Sequence, residues 1–415
     1  MMRSKRKILV AFLYRYSLRF CLFFYHCLFF IIKKIKIKDR PRVEKSVILV
    51  TGTFYSDHWL MTHLQPMANA NNCASVLMVS STVVPEMHNV KALYAPLLLQ
   101  KILGKVGARL CYFCWLSFRL KPDVLVGFHL LLNGLLVAIL ARCIAAKSIY
   151  ICGGGPREVM HGGLYTENRL FKHIGKADLL IESLLIKAVN EMHVLITMGT
   201  SAQRYFQEKG IKTQYEIIAG GFDECVFKVN NAQPQKYDLI LIGRLSQVKR
   251  VDRFLKALQK ARETLPSLNA VIVGDGPQLA QLKQLSLSLG LGSAVDFVGW
   301  QNNIEDWLQQ SRCFVLTSDS EGLSQALIQA MLTGLPAITS DVGDLSDLVS
   351  EEENGYLITS LSSSHFSQAF VHLFSHQKLF EQFSEHARIC AKKYSITNVT
   401  LQWQEVLQTL SEKNQ

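Results

Sequence analysis

The sequence predicts an α/β fold: two Rossmann-like domains facing across a cleft, preceded by a basic, apolar N-terminal extension. Three observations predict it. Short runs rich in Val, Ile and Leu alternate with helical patterns, the signature of a mostly parallel sheet with crossover helices. The alternation occurs in two sets, separated by the polar stretch KVNNAQPQK at 228–236. The chain's 415 residues also exceed what one hydrophobic core comfortably serves. The expected division is 1–45 for the extension, 46–228 for the first domain, 229–395 for the second and 396–415 for a terminal helix.

The extension carries nearly all of the formal net charge of +12. Residues 1–50 hold thirteen Lys and Arg against Asp39 and Glu44, and the remainder is close to neutral. A nucleic-acid enzyme spreads its basic residues along a groove of its folded domains, so no nucleic-acid partner is expected. Phe20–Ile32 reads FCLFFYHCLFFII, thirteen residues where a span needs roughly 20. Reaching that length takes in Arg15 and Arg19. No small-residue cleavage site follows, as a signal peptide requires. A helix lying in the interface, with lysines at anionic headgroups, fits better than a span. The expected location is the cytoplasmic face of the cell membrane, peripheral or monotopic.

Within the first domain the strand patterns are Ser46–Val50, Ala74–Val79, Asp123–Gly127, Ser148–Cys152, Val194–Thr197 and Tyr215–Ile218. A helix is expected from about Asp57. Residues 90–120 interleave Lys91, Lys101, Lys105, Arg109 and Arg119 with Leu, Ile, Phe and Tyr. That pattern suits a core helix pair with solvated cations, or a surface that meets lipid. The second set is Asp238–Ile242, Ala270–Val273, Val295–Val298, Cys313–Leu316, Ala337–Thr339 and Tyr356–Ile358. Of the ten cysteines only Cys111 and Cys114 have C-x-x-C spacing, with no second pair, so core packing is expected and no metal.

Residues 317–332, TSDSEGLSQALIQAML, point to a specific chemistry. Glu321 and Gly322 end a polar turn after the strand at Cys313–Leu316. Leu323, Leu327, Ile328 and Met331 then repeat at helical spacing, with Gln329 two turns below Glu321 on roughly the same face. Upstream, LILIGRLSQVK is a buried strand followed by a Gly–Arg turn and a lysine. Gly243 permits close backbone approach, and Arg244 and Lys249 supply two cations for a polyphosphate. Between them NAVIVGDGPQL is a strand ending in Gly274-Asp275-Gly276-Pro277.

GRLSQVK, VGDGP, FVGW, SDSEGLSQALIQAM, GLPAITSDVG and NGYLI, in this order, resemble the C-terminal domain of glycosyltransferase family 4. These are the retaining GT-B enzymes also called glycosyl transferases group 1. The resemblance is strong over about 120 residues and diffuse over the N-terminal half. It implies that Arg244 and Lys249 bind the donor diphosphate, with Gly243 and Gly276 lining the same site. It also implies that Glu321, with Gly322 and Leu323, contacts the donor sugar. The family's second carboxylate holds the nucleotide ribose, and here that place is Gln329. A Gln keeps an acceptor oxygen but loses the charge.

On the other side, Thr51-Gly52-Thr53 follows the first strand, and Gly52 matches the family's glycine-rich loop. His129, at the exit of DVLVGF, is either a structural hydrogen-bonder or, as the resemblance implies, a site residue near the transferred sugar. Gly153-Gly154-Gly155-Pro156 stands where the family often shows a histidine–glycine pair. Arg157 and Glu158 after it read as ordinary caps. Gly220-Gly221-Phe222-Asp223 reads as structural. In the resembled fold the last helix crosses back to the N-terminal domain.

No Walker lysine motif, HExxH or nucleophile elbow appears, and G-x-G-x-x-G is missing after the first strand, which argues against a dehydrogenase. The expected function is retaining transfer of a hexosyl or N-acetylhexosaminyl group from a nucleotide-diphosphate sugar, UDP or GDP type. The expected acceptor is lipid-linked or a membrane-proximal glycan, in cell-surface polysaccharide, lipopolysaccharide or glycolipid synthesis. Besides that acceptor, the expected partners are the nucleotide sugar and an anionic membrane surface, with no metal and no cofactor. Two alternatives remain: a nucleotide-sugar epimerase of the same fold, and a weakly catalytic subunit of a membrane glycosylation complex.

Overall fold

The computed structural model describes residues 2–412, other than 39, 42, 53, 55, 165–173 and 231–233, with backbone only for residues 2–10. Thr53 and part of the expected linker therefore lie outside the described residues. The chain forms two compact units, Met1–Gly221 with Val399–Gln415, and Phe222–Asn398. The boundary falls some residues before the polar stretch, because Phe222 is already tied to Tyr394 by a backbone bond of 2.9 Å.

The first unit holds the strands β1 (Ser46–Thr51), β2 (Cys73–Ser80), β3 (Val90–Tyr94), β4 (Val124–Phe128), β5 (Lys147–Cys152), β6 (Val194–Thr197) and β7 (Gln214–Ile217). They form a seven-stranded sheet in the order β3-β2-β1-β4-β5-β6-β7. The second unit holds β8 (Tyr237–Ile242), β9 (Ala270–Val273), β10 (Val295–Gly299), β11 (Ser311–Leu316), β12 (Ala337–Ser340) and β13 (Gly355–Ile358). Its six-stranded sheet runs β10-β9-β8-β11-β12-β13. Every pair in both sheets is parallel. The inner strands are buried on both faces, which is why they read as unbroken apolar runs. In each sheet the strand order reverses once, between β1 and β4 and between β8 and β11. Ligands of doubly wound sheets gather at such reversals, beyond the strand C-termini.

Two elements and one cysteine differ from the sequence reading. Residues Val90–Tyr94 form β3, an edge strand paired only with β2. A half-exposed edge strand carrying Lys91 lacks the continuous apolar run that marked the others. After it, Leu97–Leu120 is one helix broken at Gly104, whose φ of 69° and ψ of 168° are not helical. Its first half is exposed, with Leu97, Leu98 and Ile102 all at least 70% accessible, while Phe113 and Leu116 pack in the core. Cys111 is exposed rather than packed in the core.

The N-terminal extension is a continuous helix, Met2–Lys34. One stripe of it, Leu22, Tyr25 and Phe29, joins the core formed with the helix Leu179–Val189. Arg19 pairs with the buried Asp178 at 2.9 Å, His26 Nε2 meets the Leu184 carbonyl at 2.9 Å, and Lys33 pairs with Glu191 at 2.5 Å. The spacing of seven between 19, 26 and 33 is two helical turns, so one face is tied along its length. The outward face exposes Phe20, Phe23, Phe24 and Phe30. Residues Ala11–Lys34 are long and apolar enough to cross a membrane by length and composition alone.

At the other end, Trp403, Val406, Leu407 and Leu410 of the helix Ile396–Glu412 are buried. Asn72 Nδ2 donates to the Gln404 carbonyl at 2.8 Å, within the first unit.

Candidate functional site

In the second unit the loops after β8, β9, β11 and β12 meet at the strand-order reversal. Two pairs of them touch through backbone. A Cβ on Gly276 would collide with the Leu245 carbonyl, and one on Gly343, at φ 64°, with the Glu321 carbonyl. Gly276 thus lets the β9 loop lie against the Gly243–Leu245 turn. Gly343, which sequence reasoning did not single out, does the same for the Glu321 turn. The β11 loop is stitched to the β8 loop as well. Thr317 Oγ1 donates to the carbonyls of Lys249 and Arg250, Asp319 N donates to the Val248 carbonyl, and buried Arg253 reaches both the Thr317 carbonyl and Asp319.

That stitching brings Lys249 and Glu321, 72 residues apart, into contact. Lys249 Nζ lies 2.6 and 2.8 Å from the two carboxylate oxygens, and Ser318 Oγ donates to Oε1. Arg244 is exposed, and a Cβ on the preceding Gly243 would lie 3.6 Å from Lys249 Cε. Gly322 has open space around it, and Leu323 is half-buried. The helix begins only at Gln325, with Ser324 Oγ capping Leu327 N. Glu321 therefore stands in the turn ahead of the helix, and the expected shared face with Gln329 two turns on does not exist. The polar turn is held open by its bonds to the β8 loop, which a reading of helical spacing cannot register. Gln329 is buried in the helix at 3% accessibility.

In the first unit the reversal lies between β1, which ends just before Gly52, and β4, which ends just before His129. A Cβ on Gly52 would press on Phe54 and Phe128 at 2.7 and 2.8 Å. Its carbonyl accepts from buried Arg109, which also donates to Thr51 Oγ1 at 3.1 Å and Asn133 Oδ1 at 2.9 Å. Arg109 is a cation held by neutral acceptors, and burial lowers its pKa to about 10. It remains charged at neutral pH. Residues 90–120 thus contribute a buried charge that fixes the Gly52 loop, although in the sequence Arg109 looks like its solvated neighbours.

His129 has φ 63° and ψ 138°, a positive φ that costs a non-glycine residue on the order of 1–3 kcal/mol. Its Nδ1 lies 2.8 Å from Oε1 of Glu158, which sits in the short turn Gly155–Glu158. Glu158 is not the cap that its position suggested. It is buried, and accepts from the backbone N–H of Leu130 and Gly154 and from Tyr150 Oη, at 2.7 to 2.9 Å. Burial pushes the Glu158 pKa up, but the charge and hydrogen bond of His129 with the two backbone N–H groups outweigh it and hold the carboxyl below its usual range. A Cβ on Gly154 would lie 2.9 Å from Glu158 Cγ, and one on Gly153 3.3 Å from the His129 ring. Gly153 and Gly154 thus make room for this pair, while Gly155, with open space around it, takes a φ of 66°. Gly220 and Gly221 fix a turn, with Gly221 N donating to the Thr62 carbonyl.

Residues 223–389 match the family described as Glycosyl transferases group 1. The chain is a GT-B relative of these transferases. An uncharacterized glycosyltransferase of Haemophilus influenzae is 26% identical over 244 residues, 59% of this chain and 66% of the relative. The UDP-Gal:α-D-GlcNAc-diphosphoundecaprenol α-1,3-galactosyltransferase of Escherichia coli is 32% identical over 147 residues, 35% of this chain and 38% of the relative. The chain therefore spans less than two thirds of the length of the curated relatives it matches. Among solved structures, Anabaena HepE in complex with UDP-glucose superposes with a TM-score of 0.67 at 17% identity, over 88% of this chain and all of that one. This likeness shows the GT-B fold. Arg244, Lys249, Glu321 and Gln329 all lie within the matched residues.

Proposed function

We propose that the chain is a retaining glycosyltransferase that moves a sugar from a nucleotide-diphosphate sugar to a lipid-linked or membrane-proximal glycan acceptor. The observation that carries this is the meeting of Lys249 and Glu321, with the exposed Arg244 in the same loop as Lys249, at the strand-order reversal of the second unit. When the anomeric C–O bond breaks, negative charge develops on the departing diphosphate, and Arg244 and Lys249 stabilise it there. The Glu321 carboxylate, held by Ser318 and Lys249, faces the developing positive charge of the sugar ring and its hydroxyls. The acceptor oxygen forms the new bond on the face the diphosphate leaves, and its proton passes to the leaving phosphate. Two cations supply the charge that a divalent metal supplies elsewhere. His129 orients a hydroxyl of the sugar or acceptor. The UDP-glucose bound by HepE and the lipid-diphosphate substrate in the E. coli relative's name favour a UDP-type donor and a lipid-linked acceptor.

The N-terminal helix is read as the membrane contact, on the cytoplasmic face. Its inner face is tied to the first unit every second turn, and Arg19, costly in hydrocarbon, is neutralised by Asp178. A helix fixed along its side lies in the interface, and its outward phenylalanines enter the headgroup boundary.

The test is a donor-panel assay on anionic vesicles carrying lipid extract, with mass detection and anomeric analysis. The expected product gains one hexose-type unit with retained configuration, in EDTA as in its absence. An inverted product or strict metal dependence overturns the mechanism, and epimerised sugar without transfer promotes the isomerase. Replacing Phe20, Phe23 and Phe30 with Ser should release the protein from the vesicles. Deleting the helix is a poorer test, since it strips Leu22, Tyr25 and Phe29 from the core.

A further inference from the structure

The Glu158 carboxylate makes four hydrogen bonds, and three would be met equally well by any acceptor. Leu130 N, Gly154 N and Tyr150 Oη are neutral donors. The fourth partner, His129 Nδ1, is the one whose chemistry depends on what faces it. A neutral imidazole carries one proton and one lone pair, and the group opposite one nitrogen decides which nitrogen holds which. An ionised carboxylate only accepts, so it holds the proton on Nδ1 and leaves the lone pair on Nε2. Among the described residues no lysine or arginine pairs with Glu158, so its charge is directed at the imidazole and the three neutral donors.

We infer that Glu158 is a positioning residue of the transfer reaction: it fixes the tautomer and ring orientation of His129, so that Nε2 accepts a hydrogen bond from a hydroxyl of the sugar or acceptor. This rests on the reading of His129 as a site residue. The surroundings fit a part built to hold one geometry. His129 is kept at a positive φ, its N–H donates to the Ile151 carbonyl at 3.0 Å, and its own carbonyl accepts from Gly134 N at 3.0 Å. The ring cannot turn over without breaking the bond to Glu158, and Glu158 cannot move without stranding two backbone N–H groups.

The experiment compares His129→Ala, Glu158→Gln and the double variant in the full chain, on vesicles, by kcat and donor KM. An amide side chain presents a donor as well as an acceptor, so Glu158→Gln no longer forces the proton onto Nδ1. A fall in kcat of about 10-fold or more is expected, with donor KM held within about 2-fold. The double variant should be no slower than His129→Ala, because both changes remove the same contribution. Parental rate in Glu158→Gln alongside a slow His129→Ala overturns the inference, as does a double variant slower by the full Glu158→Gln factor, which marks a loop clamp. Parental rate in His129→Ala defeats the underlying reading of His129 and this inference with it. Nitrogen-15 NMR of histidine-labelled parent protein gives a readout independent of any variant's folding. The His129 signals, assigned with the His129→Ala spectrum, should show the proton on Nδ1 above neutral pH. A proton on Nε2 overturns the assignment.

Discussion

At the strand-order reversal of the second unit, two pairs of loops close through backbone at Gly276 and Gly343, Thr317 and Arg253 stitch the β11 loop to the β8 loop, and a lysine and a glutamate are left facing each other. At the matching place in the first unit, the loops are held by side chains: buried Arg109 under Gly52, and buried Glu158 behind His129. The strand plan is the same, but the means of fixing the ends differ. Loops that close through backbone write themselves into the sequence as glycines at set spacing. A site fixed by paired side chains can be re-cut for a different acceptor, and its sequence signature is scattered.

The largest effect that separates the two units is acid sensitivity. His63 and His193 lie in the first unit. Burial pushes both down to about 4, with nearby His129 adding to the effect at His63 and Lys147 at His193. In the unfolded chain each titrates near 6.5. Their neutral forms therefore support the fold fully above about pH 6.5, and that support is lost as pH falls towards 4, roughly 3 kcal/mol for each. In the second unit, burial raises Asp252 and Asp319, but hydrogen bonds from Arg250 to both and from Arg253 to Asp319 outweigh it and hold both carboxyls low. That contribution fades only below the ordinary carboxylate range, about pH 4. Urea unfolding at pH 7.5 and 5.0, read by hydrogen exchange pulsed at one common pH, should show the first unit's midpoint falling and the second's nearly fixed. Equal falls would break the comparison.

Within the second unit, Glu321→Gln should cut turnover by about 100-fold while nucleotide affinity changes little. Arg244→Ala or Lys249→Ala should weaken donor binding roughly 10- to 100-fold. Calorimetry with UDP and initial rates separate the two. Parental behaviour in all three variants would leave the backbone-built loops without a ligand. The smallest effect is expected from Gln329→Glu. A carboxylate buried there lacks the ribose partner until nucleotide binds, so melting should drop by about 2–4 °C without nucleotide and recover with it. A drop that nucleotide leaves untouched would detach Gln329 from the site.

Much of the fold was legible because its strands are buried runs. Asp238–Ile242 and Cys313–Leu316 were visible as patterns, and the structure extends them by only one or two residues. Val90–Tyr94 was missed because an edge strand is half wet. Gly243, Lys249 and Glu321 stood out in the sequence, and the structure brings Lys249 and Glu321 into contact with Gly243 close to Lys249. Arg109 and Glu158 did not stand out. A buried charge has the same letter as a surface one, and their partners lie 57 and 29 residues away. Glu321 was placed correctly after its strand, but the helix beyond it was started too early, since the Ser324 cap was hidden in a polar stretch.

The pairing of Asn72 with the carbonyl of Gln404, 332 positions along the chain, has a consequence for synthesis. A ribosome adding about 5–20 residues per second delivers the rest of the first unit well before the helix carrying Trp403, Leu407 and Leu410. For tens of seconds the face that this helix covers is bare, and the second unit folds meanwhile as its own body. The first unit begun is thus the last one finished. A stop codon shortly before residue 399 would leave an oily, chaperone-binding nascent product even though the whole second unit had been made.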